Sequence, residues 1–160
     1  MSPGAEVIQW DAVPRALNQL WYQAAPLINV HSNLAMHVRG GWSDEGTEIL
    51  QWPFEGGWNQ LYAIERVFDD YYKIVTMVDT TKVVTAAVGG QGGPVYLRTW
   101  AKLDTQLFQL LAAGNGACRL RNKQTGRYLQ ARGQSVTAGE SVVDAEELIN
   151  DSQLWTLNVH

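Results

Sequence analysis

The chain has 160 residues, of which 46% are apolar and 18% charged, and its formal net charge at pH 7 is −4. This composition is typical of one globular domain that can bury its own core, and it excludes a disordered chain. The sequence contains no run of about 18 apolar residues and no basic stripe, so we expect neither membrane insertion nor a nucleic-acid partner.

The chain start and the cysteine content bear on the compartment. The first six residues carry neither a basic region nor an apolar stretch, so we expect no signal peptide. Cys118 is the single cysteine of the sequence, which excludes an internal disulfide. A lone thiol is typical of a reducing compartment, and we therefore predict a cytoplasmic protein.

Four segments of the chain follow one template. Each has a glycine, a short apolar strand, a polar turn and then a triplet of glutamine, leucine and an aromatic residue. The glutamines of the triplets are Gln19, Gln60, Gln106 and Gln153, so their spacing runs from 41 to 47 residues. A period of this size predicts supersecondary units related by symmetry.

Short strands rich in β-branched and aromatic residues are predicted between polar turns, and no apolar period of 3.6 residues is long enough for a helix. In chain order the predicted strands are residues 27–30, 35–38, 48–52 and 60–64, then 73–78, 82–86, 95–100 and 106–111, then 118–122, 127–131, 141–144 and 153–157. Three units of four strands fit three propeller blades or one β-trefoil, and three blades are too few for a propeller. We therefore predict an all-β fold, a β-trefoil with an extra N-terminal strand pair.

The extra pair comes from the way the repeats divide the chain. We predict a single domain over residues 1–160, with a half repeat at 4–25, repeat 1 at 26–67, repeat 2 at 68–113 and repeat 3 at 114–160. The half repeat matches only the second half of a unit. Three arrangements of this half repeat are open. It completes the barrel and the C-terminal strand pair is displaced, or it lies against the outside of a complete trefoil. In the third arrangement it pairs with another chain in a homo-oligomer.

Repeat 1 has a strand, a hairpin, a Gly-Gly turn, a Gln-Trp strand, a second Gly-Gly turn and the ending Asn-Gln-Leu-Tyr at 59–62. This pattern resembles a repeat of the ricin-type (QxW) β-trefoil lectin family, and the resemblance covers essentially the whole chain. The lack of disulfides is more similar to the cytosolic fungal and bacterial members. The resemblance implies a carbohydrate-binding lectin whose partners are glycans or glycoproteins, with galactose-, GalNAc- or mannose-type ligands.

The resemblance also implies a sugar pocket, which repeat 1 matches best. Phe54 stands where relatives carry an aromatic platform, Asn59 matches their hydroxyl-binding Asn, and Gln60 supports it. Where the family has an Asp in the second strand of each repeat, this chain has His37, Thr85 and Gln130. We expect His37 to act as a neutral donor or acceptor and Asp44, from a neighbouring turn, to supply a carboxylate. The candidate ligand-binding residues are His37, Asp44, Trp52, Phe54, Asn59 and Gln60.

Structural roles compete with these assignments. The triplet glutamines are expected to satisfy backbone groups, and their aromatic partners Trp21, Tyr62, Phe108 and Trp155 to fill the core. Trp42 and Trp58 lie in Gly-rich turns, where an exposed tryptophan serves as an interaction anchor. The missing carboxylates keep a second function open, namely a lectin-like scaffold that has lost sugar binding and acts as an accessory or partner-binding subunit.

Catalysis finds little support in the sequence. A nucleophilic Cys118 would need a histidine as its general base. The sequence has three histidines, His31, His37 and His160, and none lies in a catalytic motif. No spacing of the HExxH or CxxC type is present. We therefore predict that the protein is not an enzyme and that it uses no metal or other cofactor.

Overall fold

The structure is a computed structural model that describes residues 24–88 and 92–157. Within these residues the predicted all-β fold is confirmed, because all twelve predicted strands are present and no α-helix is formed. The strands are β1 (Leu27–Asn29), β2 (Ala35–Val38), β3 (Ile49–Trp52), β4 (Tyr62–Phe68), β5 (Tyr71–Thr76), β6 (Lys82–Thr85), β7 (Tyr96–Thr99), β8 (Phe108–Gly114), β9 (Ala117–Asn122), β10 (Tyr128–Ala131), β11 (Val142–Ala145) and β12 (Trp155–Leu157).

Six of the strands form a closed antiparallel barrel. β4 pairs with β5, β5 with β8, β8 with β9, β9 with β12, and β12 with β1. Ala25, just before β1, exchanges backbone hydrogen bonds of 2.9 and 3.0 Å with Tyr62 of β4 and closes the ring. The C-terminal strand is therefore part of the barrel, which excludes the arrangement that displaces it. Residues 4–23 of the predicted half repeat lie outside the described residues.

The other six strands form three hairpins, β2–β3, β6–β7 and β10–β11, which cap the barrel. Each hairpin touches the other two through single antiparallel bridges, namely Glu48–Tyr96, Leu50–Ser141 and Pro94–Val143. The three repeats therefore meet around a pseudo-threefold axis. This arrangement is the trefoil predicted from the period of the sequence.

The core lies inside the barrel and under the hairpins. Tyr62, Phe108 and Trp155, the predicted core aromatics of the three repeats, are all fully buried. The indole N–H of Trp155 donates to the carbonyl of Leu129 at 2.9 Å, so its polar atom is satisfied. Trp21, the equivalent residue of the half repeat, lies outside the described residues.

A buried glutamine precedes each of these aromatic residues and holds a loop in place. The side-chain amide of Gln60 donates to the carbonyl of Pro53 at 2.8 Å and accepts from the backbone N–H of Glu55 at 2.6 Å. Gln106 and Gln153 make the same pair of bonds in their repeats. Their predicted structural role is confirmed.

The same glutamines correct three predicted strand starts. Each glutamine ends a short 3₁₀ turn, and the strand begins two residues later than predicted. The turns are Trp58–Gln60, Asp104–Gln106 and Asp151–Gln153. The amide bonds to the preceding loop hold the chain in this turn, so it cannot join the sheet at the glutamine.

One buried position departs from the threefold pattern. The third residue of β3 is Gln51, and its side-chain amide donates to the backbone carbonyls of Ser135 and Thr137, at 2.9 Å each. The third residue of β11 is Asp144, which is also fully buried. Neither of its carboxylate oxygens has a hydrogen-bond partner among the described residues. Burial raises the pKa of this carboxyl, because desolvation disfavours its charged form, and the nearby Thr125 hydroxyl and Arg127 guanidinium only partly oppose the shift.

The variant Asp144→Asn should be more stable than the wild type at pH 7. The folded pKa of Asp144 is raised, so the wild type loses stability as pH rises from about 4, the unfolded pKa, through the folded pKa. The neutral amide lacks this loss. Urea denaturation of both proteins between pH 3 and pH 8 tests this, with the exposed Asp151→Asn as control. If the difference in the free energy of unfolding between wild type and Asp144→Asn did not change with pH, the prediction would be wrong.

Removing the Trp155 side chain should leave a cavity at the barrel floor. We expect Trp155→Ala to lower the free energy of unfolding by about 3–5 kcal/mol. Trp155→Phe keeps most of the packing but leaves the Leu129 carbonyl unpaired, so its loss should be smaller, about 1–3 kcal/mol. Both variants are measured by urea denaturation. Equal losses of unfolding free energy in the two would show that packing of the Trp155 ring is not its main contribution to stability.

Candidate ligand-binding site

The hairpin β2–β3 brings two of the predicted site residues together. Its register pairs Ala35 with Trp52 and His37 with Leu50. Residues two apart on a strand share a face, so His37 and Trp52 are diagonal neighbours. Their ring centroids are 5.8 Å apart, with the planes tilted by 38°.

Asn59 joins this pair from the 3₁₀ turn Trp58–Gln60. The turn closes with a backbone hydrogen bond of 3.0 Å from Gln60 to Gly57 and is held by the buried Gln60 amide. In this position the Asn59 Nδ2 lies 3.4 Å from the His37 Nε2. The predicted residues His37, Trp52 and Asn59 therefore form one cluster.

The electrostatics of the cluster favour a neutral imidazole. Burial lowers the pKa of His37 below its ordinary value of 6.5, and the carboxylate of Glu55 opposes this shift. With the Asn59 Nδ2 as the donor, a neutral His37 accepts at Nε2 and carries its proton on Nδ1. Nδ1 is buried and has no hydrogen-bond partner in the described part of the chain.

The other three predicted residues have different positions. Phe54 is 48% exposed, in the loop that follows β3. Gln60 is fully buried and uses both ends of its amide, so it supports the loop between β3 and the 3₁₀ turn. Asp44 is exposed, and no described hydrogen bond or ion pair joins it to the cluster of His37, Trp52 and Asn59.

Repeats 2 and 3 use the position of His37 differently. Thr85 of β6 and Gln130 of β10 are both buried. Each is a hydrogen-bond partner of the buried glutamine of its own repeat, since Gln106 donates to Thr85 at 3.4 Å and Gln153 to Gln130 at 2.8 Å. These side chains are engaged in the interior, whereas His37 contacts Asn59 at the half-exposed surface.

The structure joins two residues named from the sequence, Trp58 and Asn59, to others that the sequence did not indicate. An open cavity of about 480 Å³ is lined by Gly41, Trp58, Asn59, Met77 and Val78. Met77 and Val78 follow β5 and belong to repeat 2, so a search for a pocket within one repeat could not find them. The only sequence signal was the turn position of Trp58, whose side chain is 69% exposed.

Trp42 is another exposed tryptophan of repeat 1. It is 58% exposed and follows the turn Arg39–Gly41. A Cβ atom at Gly40 would come within 2.7 Å of the Trp42 ring, and Gly40 has a φ of +62°. Glycine is therefore required there both by the backbone conformation and by the indole that lies against it.

The shifted pKa of His37 predicts a loss of stability at mildly acidic pH. The unfolded state takes up a proton near pH 6.5, the folded state only at lower pH, so stability falls as pH drops from 6.5 towards the folded pKa. We expect His37→Gln to remove this part of the pH dependence. Urea denaturation between pH 5 and 8 checks it, and the imidazole NMR signal gives the pKa directly. A His37 pKa at or above 6.5 would contradict the prediction.

A barrel of six strands capped by three hairpins, with a histidine, an amide and exposed aromatic rings at one repeat, is a lectin-like β-trefoil. The family model described as ricin-type beta-trefoil lectin domain-like matches residues 17–100, more than half of the chain. The chain belongs to this family. A search of curated protein sequences finds no significant match.

Solved structures show the same fold at low sequence identity. The designed threefold-symmetric protein ThreeFoil is 24% identical, with a TM-score of 0.81, over 86% of this chain and 99% of that one. The exo-β-1,3-galactanase 1,3Gal43A of Clostridium thermocellum is 21% identical, with a TM-score of 0.81, over 86% of this chain but 30% of the enzyme. The earthworm R-type lectin C-half in complex with GalNAc is 10% identical, with a TM-score of 0.68, over 86% and 99%.

The described residues hold no cluster of three or more His, Cys, Asp or Glu side chains that fits a metal ion. Cys118 is buried in the core, and burial raises the pKa of its thiol to about 12. A protonated, buried thiol is a poor nucleophile. Among the described residues, no helix is long and apolar enough to cross a membrane.

Proposed function

We propose that the chain is a non-catalytic lectin that binds a galactose-, GalNAc- or mannose-type sugar in the pocket of repeat 1. The observation that carries this proposal is the contact of His37 with both Trp52 and Asn59. Phe54, in the loop that follows β3, adds an exposed aromatic ring to the same repeat. A sugar needs groups that match adjacent hydroxyls and an aromatic face for its C–H surface. This surface offers both.

Each side chain has a proposed part. Phe54 stacks on the apolar face of the sugar, and Trp52 borders the pocket at 37% exposure. The Asn59 side chain donates one N–H to His37, which leaves its carbonyl oxygen and its second N–H for hydroxyl groups. Gln60 supports Asn59 through the loop, and Asp44 contacts the ligand from its exposed turn.

A galactose-type ligand is favoured over a mannose-type ligand by the structural relatives. The earthworm lectin was crystallised with GalNAc, and the trefoil region of 1,3Gal43A belongs to an enzyme named for β-1,3-galactan. Both relationships support the proposal at the level of the fold. The chain matches 30% of the galactanase, so the hydrolytic activity of that enzyme is not transferred.

The second candidate function is a scaffold that binds a protein partner. The exposed rings of Trp42 and Trp58 favour it, because exposed aromatic side chains are enriched at protein interfaces. The first candidate explains more, since a partner-binding surface does not require the contact between His37 and Asn59. A single shallow sugar site binds weakly, so a homo-oligomer would raise avidity. A cytoplasmic location remains a prediction.

The sugar site is tested by titrating the protein with GalNAc, galactose, mannose and a β-1,3-linked galactose oligosaccharide, with the oligomeric state measured by light scattering. We expect the double variant Asn59→Ala, Phe54→Ala to lose at least about tenfold in affinity, because it removes hydrogen bonds and a stacking surface. The control is Thr105→Ala, at the equivalent of Asn59 in repeat 2.

Two results would decide against the sugar site in repeat 1. Unchanged affinity in the double variant would move the site elsewhere in the trefoil. A folded wild-type protein that binds none of the four sugars would favour the partner-binding scaffold, and a co-purifying protein would then be sought by mass spectrometry.

A further inference from the structure

The cavity beside Asn59 extends the candidate site beyond one sugar ring. Asn59 contacts His37 through its Nδ2 atom and also lines the cavity formed with Gly41, Trp58, Met77 and Val78. One side chain therefore belongs to two adjoining surfaces. The first is the cluster of His37, Trp52 and Asn59, and the second we name the Trp58 cavity, after its exposed ring.

The threefold symmetry of the fold provides an internal comparison for the Trp58 cavity. Trp58 begins the 3₁₀ turn of repeat 1, as Asp104 does in repeat 2. The N–H of Met77 donates to the carbonyl of Leu61 at 3.0 Å, and the N–H of Lys123 donates to that of Leu107 at 2.9 Å. Met77 and Lys123 therefore occupy equivalent backbone positions.

These equivalent pairs have different chemistry. Where repeat 2 meets repeat 3, the Lys123 Nζ lies 3.1 Å from the Asp104 Oδ2, so an ion pair spans the position. Where repeat 1 meets repeat 2, the same two positions hold Met77 and Trp58, which line the open cavity. The backbone is conserved between the repeats while the ion pair is replaced by an apolar wall. Packing does not require this wall, because the Trp58 side chain is mostly exposed.

Repeat 3 repeats neither arrangement. Its 3₁₀ turn begins at Asp151, and the N–H of Val30 donates to the carbonyl of Leu154 at 2.8 Å. The amide of Asn150 donates to the side chain of Gln134 at 3.0 Å. Gln134 ends the turn that corresponds to the turn ending at Gly41 in repeat 1. A side-chain pair thus lies where repeat 1 has a glycine and an open cavity.

The lining of the Trp58 cavity restricts its ligand. Among the described residues that line the cavity, none carries a charge and the polar side chain is the Asn59 amide, so a neutral ligand is favoured. Its volume of about 480 Å³ is within the range of small-molecule sites. An indole face beside an amide suits a sugar ring, which presents C–H groups on one face and hydroxyls at its edge.

We propose that the Trp58 cavity is a second subsite, which binds the next neutral sugar ring of an oligosaccharide whose first ring occupies the site at His37 and Asn59. Trp58 stacks on this second ring, Met77 and Val78 border it, and Asn59 contacts both rings. This inference rests on the proposed function. It assigns the chain a ligand of at least two sugar units, and it explains why repeat 1 alone carries a tryptophan at this position.

The experiment compares a one-ring ligand with a longer one in the full chain. Affinities for galactose and for the β-1,3-linked galactose oligosaccharide are measured by calorimetry on the wild type and on Trp58→Ala. We expect the wild type to bind the oligosaccharide more tightly than galactose. Trp58→Ala should lower the oligosaccharide affinity about tenfold and leave that for galactose unchanged, as for the loss of one stacking contact.

Three further variants sharpen the result. Trp58→Phe keeps an aromatic platform and should retain most of the gain from the second ring. The double variant Trp58→Asp, Met77→Lys introduces an ion pair like that of Asp104 and Lys123. It should abolish the affinity gain from the second sugar ring. Ile149→Ala, at a side chain 90% exposed in repeat 3, is the control for removing surface apolar area. Circular dichroism checks that the double variant is folded. If it is not, Trp58→Ala still tests the subsite, because the Trp58 side chain is exposed and its removal should not unfold the protein.

The outcomes separate this inference from the proposed function. Equal wild-type affinities for galactose and the oligosaccharide would overturn the second subsite and leave the lectin intact. A Trp58→Ala variant that loses both affinities equally would also overturn it, because Trp58 would then belong to the first site. A wild type that binds neither ligand would overturn the proposed galactose-type function and the subsite together.

Discussion

The buried glutamine of each repeat is the interaction on which the rest of this structure depends. Gln60 donates to Pro53 and accepts from Glu55, so one amide ties the loop after β3 to the turn before β4. These bonds are shielded from water, and a lost partner would leave a buried polar group unsatisfied. The loop and turn that they fix carry Phe54 and Asn59. The geometry of the surface is thus set from the interior, by a side chain that is itself fully buried.

The three repeats share this framework and differ in what they build on it. At the surface next to the turn, Asp104 of repeat 2 forms an ion pair with Lys123 of repeat 3, whereas Trp58 of repeat 1 lines a cavity with Met77 of repeat 2. An exposed ion pair contributes little to stability. An exposed tryptophan contributes little as well, so the fold constrains neither choice. The residues at such positions can therefore change without loss of the fold. Because the three repeats are equivalent, a chemical difference between matching positions indicates a difference in function.

His37 changes the electrostatics of the site relative to a carboxylate. Its pKa is lowered by burial, so the ring is neutral at pH 7 and pairs with the neutral amide of Asn59. A carboxylate would bind hydroxyl donors strongly as a charged acceptor. The neutral pair offers weaker but more adaptable hydrogen bonds. In the proposed sugar site, aromatic contacts would then supply more of the affinity. Repeat 1 has four exposed aromatic rings that could do so, namely Trp42, Trp52, Phe54 and Trp58.

The sequence by itself determined the all-β class, the twelve strands and the threefold organisation, because the glutamine triplets recur with one period and strand patterns are local. It also identified the buried aromatics and the grouping of His37 with Asn59 through the family pattern. Only the tertiary structure decided that Met77 and Val78 of repeat 2 complete a cavity beside Trp58 of repeat 1. It also showed that the Asp144 carboxylate is buried without a hydrogen bond of ordinary geometry among the described residues. These facts depend on contacts between repeats, and the period of a sequence describes each repeat without its neighbours.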